Sequence, residues 1–406
     1  LKKRAATLPY WASCSEPTAQ IMTSIFVAKE SRAGENRVAA TPETVGRYVK
    51  RGFSVFVEAN AGCASAVPDA AFTAVGAEIV ADYATGCSKA DLVLKVARPT
   101  REEGAAIKKG SVLISFMQSA MEPDAVHGIL GGGGSQFAME LVPRTTLAQK
   151  MDALSSQANI AGYKAVLLGA CELGRYFPLL MTAAGTVKPA RVVIFGVGVA
   201  GLQAIATAKR LGAIVEATDI RPEVKEQVES LGGKFIEVKS DDGATEPSVY
   251  AKEASDEYKK RQAEAVGASV AQADVVITTA QVPGAKAPVL VPEAMVKTMK
   301  FGSVLVDLAV EQGGNCDISE EGKIVIKHGV KLVGTTNLPS TVATHASELY
   351  ARNVQHVVDH LVPTKENDNL EVRLNFDDEI IGASIAVHGG EVRHAPTAAA
   401  LQPATA

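Results

Sequence analysis

The sequence predicts an α/β protein of two Rossmann-like lobes with mostly parallel sheets, and three observations predict it. From Ile25 to about Arg98, apolar strand-like runs alternate with helical segments, the pattern of a parallel sheet. An apolar stretch from Asn159 to about Thr186 reads as a helical connector. At Arg191 a second alternating series opens on RVVIFG and a glycine-rich turn. The chain thus divides into a leader or mis-assigned start (1–21), a first lobe (22–158), a connector with the second lobe (159–344), and a return to the first lobe with a hairpin and disordered tail (345–406).

The elements follow in order. Residues 1–21 are basic at the start and hold no acid before Glu16, as in a transit-peptide remnant. Met22 immediately precedes TSIFVAKE, and the preferred reading makes Met22 the true start. SIFVAKE, FSVFVEA, ADLVLKVARP and SVLISF read as strands, and TPETVGRYVKRG as a capped helix. GGGGSQ (131–136) reads as a flexible turn, and FAMELVP after it offers one more strand. A helix starts within PRTTLAQKMDALSSQ (143–157), where Gln149, Asp152, Ser155 and Asn159 recur at three or four residues along one face. Such a stripe is either a solvated surface or a row of hydrogen-bonding groups aimed at a ligand, and spacing alone leaves both open.

In the second lobe RVVIFG is a strand, VAGLQAIATAKRLG a helix ended by Gly212, and AIVEATD a strand. ADVVITTA (273–280), GSVLVDLAV (302–310) and GVKLVGTTN (329–337) supply later strands. The polar segment 240–266 holds Gly and Pro before turning helical, as a loose loop or a lid would. ASELYARNVQHVVDHL is a helix that returns to the first lobe; a hairpin around Gly389–Gly390 follows, and PTAAALQPATA is expected to be disordered.

Composition narrows the function. A net charge of -4 over 406 residues, with no basic stripe interleaved with aromatics, argues against nucleic acid. The longest uncharged run, 17 residues between Arg191 and Lys209, is short and glycine-broken for a membrane span. The five cysteines form no CxxC pair, which suits a reduced compartment. The seven histidines form no cluster, so no metal site is expected.

GVGVAG places Gly196, Gly198 and Gly201 in a G-x-G-x-x-G pattern directly after an apolar strand and at the opening of a helix. The first glycine permits a tight turn, the second lets backbone approach a pyrophosphate, and the third lets the helix pack on the strand. The helix N-terminus favours the phosphate charge. Asp219 ends the next strand, 18 residues beyond Gly201, where an acid would accept the adenosine ribose hydroxyls. A carboxylate there favours NAD over NADP, an inference that Arg221 slightly weakens.

RVVIFGVGVAGLQAIATAKRLGA, ATDIRPEVKEQVESLGGKF and MDALSSQANIAGYKAV resemble the NAD(H)-binding domain I of proton-translocating nicotinamide nucleotide transhydrogenase, from about Met22 to Arg393. Alanine dehydrogenase shares the fold and many motifs. Its substrate-binding Arg and Lys are matched by Arg37 and Lys95, but its catalytic His stands as Gln118 and its Asp as Glu311. Oxidising an amino acid moves a proton that an imidazole can carry near neutral pH and a glutamine amide cannot. Direct transfer between two nicotinamides needs only close, aligned rings. The resemblance therefore favours transhydrogenase, with Arg37 and Lys95 structural or inherited.

The resemblance implies NAD(H) in the interlobe cleft and an Si-specific hydride transfer from NADH to NADP+, coupled to proton translocation. In the polar stripe, Gln149 and Ser155 would bond the carboxamide, while Arg144 and Asp152 would pair where the second nucleotide approaches; the family's further Arg in this loop is Leu147 here. Val199, Ile220 and Arg221 would flank phosphates and adenosine, and Thr279, Ala280 and Gln281 would pass beneath adenosine and ribose. Tyr250, in VYAKEA, matches a loop that closes over nucleotide, although a neighbouring Met of some relatives is Ala254. Implied partners are a second copy of the chain, an NADP(H)-binding domain and a membrane proton-channel subunit, the last two on other polypeptides. The implied location is cytoplasmic, peripheral to the inner face of the membrane, or the mitochondrial matrix side if 1–21 is a transit remnant. The alternatives are a soluble alanine or amino-acid dehydrogenase with an altered site, and an NAD-binding protein that is no enzyme.

Overall fold

The computed structural model describes residues 23–118, 123–237, 256–282, 285–363 and 370–401. The readings of 1–21, Met22, Tyr250 and Ala254 lie outside the described residues. Strands β1 (Ser24–Val27), β2 (Ser54–Glu58), β3 (Glu78–Val80), β4 (Leu92–Leu94), β5 (Val112–Ser115) and β6 (Ser135–Ala138) form the parallel part of the first sheet. A small hairpin of β7 (Leu180–Thr182) and β8 (Gly185–Val187) follows. The second sheet holds β9 (Arg191–Phe195), β10 (Ile214–Thr218), β11 (Lys234–Phe235), β12 (Val275–Thr278), β13 (Val304–Asp307), β14 (Ile324–Lys327) and β15 (Val330–Val333). The chain then adds β16 (Ile385–His388) and β17 (Glu391–Val392) to the first sheet.

The first sheet runs β17-β16-β6-β5-β4-β1-β2-β3 and the second β11-β10-β9-β12-β13-β15-β14. Only β16, β17 and the edge strand β14 pair antiparallel in these two sheets among the described residues. The two mostly parallel α/β sheets are those the sequence predicts. Their central strands are apolar on both faces because both faces are covered. Ile25, Val27 and Leu92 share one core with Tyr48 and Tyr350, while Phe26, Val93 and Leu113 share the other with Val126 and Ile129.

Three helices organise the site. The connector, Ala153–Glu172, is capped by Asp152, whose carboxylate accepts from Ser155 N–H at 2.9 Å. It packs tightly on the helix Val199–Arg210: a Cβ at Gly162 would lie 2.0 Å from the Ala200 carbonyl oxygen. The return helix, Ala343–Leu361, buries Tyr350 and Val354 in the first-lobe core, and the Tyr350 hydroxyl donates to the Lys95 carbonyl at 2.8 Å.

Four local expectations are corrected. The connector starts at Ala153 and ends at Glu172 rather than running from Asn159 to Thr186, since Gly174 and Pro178 break it before the β7–β8 hairpin. FAMELVP is no strand of its own. Gly131 and Gly132 finish the helix Pro123–Gly132, β6 already begins at Ser135, and Met139–Leu141 is a 3-10 turn. There Glu140 reaches back to the backbone N–H groups of Met117 and Gln118. Gln149 does not share a helical face with Asp152, Ser155 and Asn159, because Gln149–Met151 is a 3-10 turn ahead of the cap. Finally, the expected disordered tail holds a helix, Ala395–Ala400, with Pro396 in its first turn before good helix formers; residues 402–406 lie outside the described residues.

Candidate functional site

The second sheet reverses its strand order at β9, between β10 on one side and β12 on the other. Open α/β sheets bind ligands at the carboxyl ends of strands flanking such a reversal. The glycine turn lies there, directly after β9. Gly196 has φ +91°, and a Cβ on it would sit 2.6 Å from Thr279 Oγ1. A Cβ on Gly201 would sit 1.9 Å from the Gly196 carbonyl oxygen, so the turn closes only with glycine at both positions. Gly198 differs: a Cβ there would meet nothing within 4 Å. That open space before the N-terminus of the Val199–Arg210 helix is room for an anionic group to reach backbone N–H donors. Val199 and Ile220 are exposed beside it, Ile220 at 93%.

Asp219 follows β10 and is only 6% exposed. Its Oδ2 accepts Val197 N–H at 2.6 Å and Arg221 Nη2 at 3.1 Å. Its Oδ1 accepts Arg221 N–H at 2.9 Å and Arg221 Nε at 3.0 Å. Burial opposes its ionisation, but the hydrogen bonds from Arg221 and Val197 outweigh burial and hold its carboxyl below the ordinary range.

Thr279 braces the turn from β12, its Oγ1 lying 3.2 and 3.1 Å from the carbonyl oxygens of Phe195 and Gly196. Ala280 is held at both backbone groups by buried Asn315, with N–H to Oδ1 at 3.1 Å and Nδ2 to carbonyl at 2.9 Å. Gln281 Nε2 donates to the Leu308 carbonyl at 2.8 Å. Buried Asp307 accepts from Thr278 Oγ1 and the N–H groups of Ala309, Asn315 and Cys316, so it anchors the loop that carries Asn315. Sequence reasoning missed Asp307 and Asn315; the signal available was a polar residue closing the apolar run VLVD.

The polar stripe has a different geometry from the one expected. Asp152 pairs with Ser155, whose hydroxyl donates to it at 2.6 Å, and no ion pair joins Asp152 to Arg144 among the described residues. Capping geometry wins because Ser155 is a near neighbour on the first helical turn, whereas Arg144 is exposed in the preceding loop. Gln149 is exposed and Leu147 stands 81% exposed beside it. Asn159 Nδ2 donates to Gln203 Oε1 at 3.1 Å, which brings the Asp152–Ser155–Asn159 face alongside the glycine-turn helix.

An interlobe cleft of about 700 Å³ meets the connector on the adjoining face, at Leu154, Gln157, Ala158 and Ala161. Arg37, Gln118 and Glu311 line it; Lys95 does not. Arg37 is internally neutralised by Glu35, at 2.6 Å, and donates to Gln157 Oε1 at 2.9 Å. Lys95 is fully buried between Glu103 at 3.3 Å and Glu30 at 3.7 Å. Glu311 accepts Asn337 N–H at 2.8 Å. Gln118 takes a left-handed φ of +47°, fixed by Glu140 at its N–H, and its amide oxygen accepts from Arg98.

Glu30 accepts Val96 N–H at 2.6 Å and Ala97 N–H at 3.3 Å, just before cleft-lining Arg98. Burial pushes its carboxyl from 4.5 up to about 7, against the pull of Lys95. Between those values the folded chain keeps a proton that the unfolded chain releases, so this group makes stability fall as pH rises through that window. Glu30→Gln, which keeps an acceptor and cannot ionise, is expected to flatten the fall by on the order of 1–3 kcal/mol between about pH 5 and about pH 8. Denaturant unfolding at the two pH values checks it; an unchanged pH dependence in the variant contradicts it.

Two lobes of mostly parallel sheet around a cleft, with a glycine turn at the strand-order reversal, define a two-lobed Rossmann-like protein. Comparison with known proteins narrows that class. Residues 26–161 match the family model described as Alanine dehydrogenase/PNT, N-terminal domain, and residues 165–395 match Alanine dehydrogenase/PNT, C-terminal domain. The chain belongs to the alanine dehydrogenase/PNT family. It is 51% identical over 377 residues to the first of the separate chains of NAD(P) transhydrogenase subunit alpha in Rhodospirillum rubrum, covering 91% of this chain and 97% of that protein. It is 32% identical over 326 residues to alanine dehydrogenase of Bacillus subtilis, covering 78% and 80%. A crystal structure of transhydrogenase from Sinorhizobium meliloti superposes with a TM-score of 0.82 at 45% identity, over 91% of this chain and 99% of that one. The resemblance read from the sequence is borne out. No helix among the described residues is long and apolar enough to cross a membrane.

Proposed function

We propose that this chain is the NAD(H)-binding component of a proton-translocating transhydrogenase, serving Si-specific hydride transfer from NADH to NADP+ held by a partner domain. The observation that carries the reading is the cleft position at which alanine dehydrogenase needs an imidazole. Here it is Gln118, an amide bound to Arg98 that cannot carry a proton. Arg37 and Lys95 support the same reading, each already satisfied by carboxylates of the first lobe. The kinship with proteins named NAD(P) transhydrogenase subunit alpha supports it independently.

The residues present fit a dinucleotide, because Gly198 leaves open space where a pyrophosphate would approach. Gly196, Gly198 and Gly201 would shape the phosphate turn, and Asp219 would take the adenosine ribose. Val199, Ile220 and Arg221 would flank phosphates and adenosine, above Thr279, Ala280 and Gln281. Arg144, Gln149, Asp152 and Ser155 would surround the nicotinamide, and Tyr250 would close over the nucleotide. The cofactor supplies the hydride; the chain binds it, orients it and excludes water. The chain would act as a homodimer, with an NADP(H)-binding domain docked over Gln149 and a membrane subunit moving protons, which places it at the inner face of a membrane.

On this reading the chain does not oxidise alanine with NAD+ or aminate pyruvate with NADH. A spectrophotometric assay across about pH 7–10 is expected to show neither. Turnover of about 1 per second or faster, an ordinary enzyme rate, would place the chain on the dehydrogenase branch.

A further inference from the structure

A carboxylate offers about four lone-pair positions to donors. All four at Asp219 are engaged, one by Val197 N–H and three by Arg221 through its backbone N–H, Nε and Nη2. The guanidinium also reaches across the glycine turn, with Nη2 3.3 Å from the Val197 carbonyl oxygen. A ribose that presents two hydroxyls to this acid therefore finds no acceptor position open. The backbone donors belong to the turn and stay in place. The side-chain donors sit on an arginine that is half exposed, so only they can leave cheaply.

We infer that the Arg221 side chain is a stand-in for the ribose at Asp219, and that nucleotide binding displaces its Nε and Nη2 from the carboxylate. The inference rests on the reading of Asp219 as the ribose ligand. It gives Arg221 a role opposite to that of a ligand: it keeps the buried acid paired in the empty site and weakens nucleotide binding by competing for the same oxygens. While it is held on Asp219 and Val197, its guanidinium is also turned away from any 2′-phosphate, so the pair works for NADH over NADPH.

The test is titration of NADH fluorescence on the full chain, with Arg221→Met, which keeps an apolar stem and removes the side-chain donors. The expected result is NADH binding about three- to tenfold tighter, with the same gain for 5′-AMP measured by competition. Asp219→Asn is expected to weaken NADH, and Arg221→Met added to it should bring no further tightening, because the contested charge is gone. Thermal unfolding of each variant confirms the fold. Unchanged or weaker NADH binding by Arg221→Met, with Asp219→Asn still harmful, would overturn the stand-in role and leave the ribose site standing. No effect of Asp219→Asn on NADH would overturn the ribose site itself, and the inference with it.

Discussion

Gly198→Ala is expected to leave the fold intact and to lower NADH affinity about a hundredfold, or on the order of 3 kcal/mol. A methyl group at this position meets no protein atom within 4 Å, and the backbone φ of -82° suits alanine. Stability should therefore stay within about 0.5 kcal/mol of the unmodified chain. The methyl group would instead occupy the space through which a pyrophosphate reaches the turn. Gly201→Ala makes the contrast: its Cβ would lie 1.9 Å from the Gly196 carbonyl oxygen, so the free protein should lose stability as well as binding. Thermal unfolding without nucleotide, beside NADH titration, separates the two. Normal NADH binding by Gly198→Ala would remove the pyrophosphate from this turn.

Gln149→Asn is expected to slow hydride transfer about a hundredfold while changing NADH affinity far less. Gln149 is exposed in a 3-10 turn, so the shorter side chain disturbs no packing. If its amide holds the nicotinamide carboxamide, removing one methylene displaces the ring by roughly 1 Å, and transfer depends steeply on approach and alignment. The contacts near Gly198 and Asp219 are untouched, which is why binding should persist. Single-turnover rates and NADH titration on the same preparation check it. An unchanged transfer rate would return Gln149 to the status of a solvated turn residue.

The parts of the fold legible in the sequence are those in which local signals agree with tertiary packing. RVVIF is apolar on both faces because it is the central strand of a covered sheet, and the glycines after it are demanded by contacts under 3 Å. Spacing alone therefore suffices to place the turn, its helix and Asp219. FAMELVP misleads because its apolar residues serve a 3-10 turn whose purpose, aiming Glu140 at the Gln118 loop, is a contact across 22 residues. The start of the connector is hard to place because Asp152 and Ser155 look like ligand groups of one face, while their local chemistry is that of a cap. Asp307 and Asn315 are invisible for a related reason: their partners lie on other loops. The saturation of Asp219 by Arg221 is likewise a matter of geometry. Two residues apart in sequence, the pair shows only as charge patterning.

Hydride transfer itself tests the central claim most directly. The full chain is combined with an NADP(H)-binding domain of a transhydrogenase complex, and NADH oxidation is followed over one turnover, with no amino or keto acid present. The expected result is NADH oxidation that requires both NADP+ and the partner domain and that fails with Gln149→Asn. Absence of transfer in that mixture, together with alanine-dependent reduction of NAD+ by the chain alone, would contradict the account.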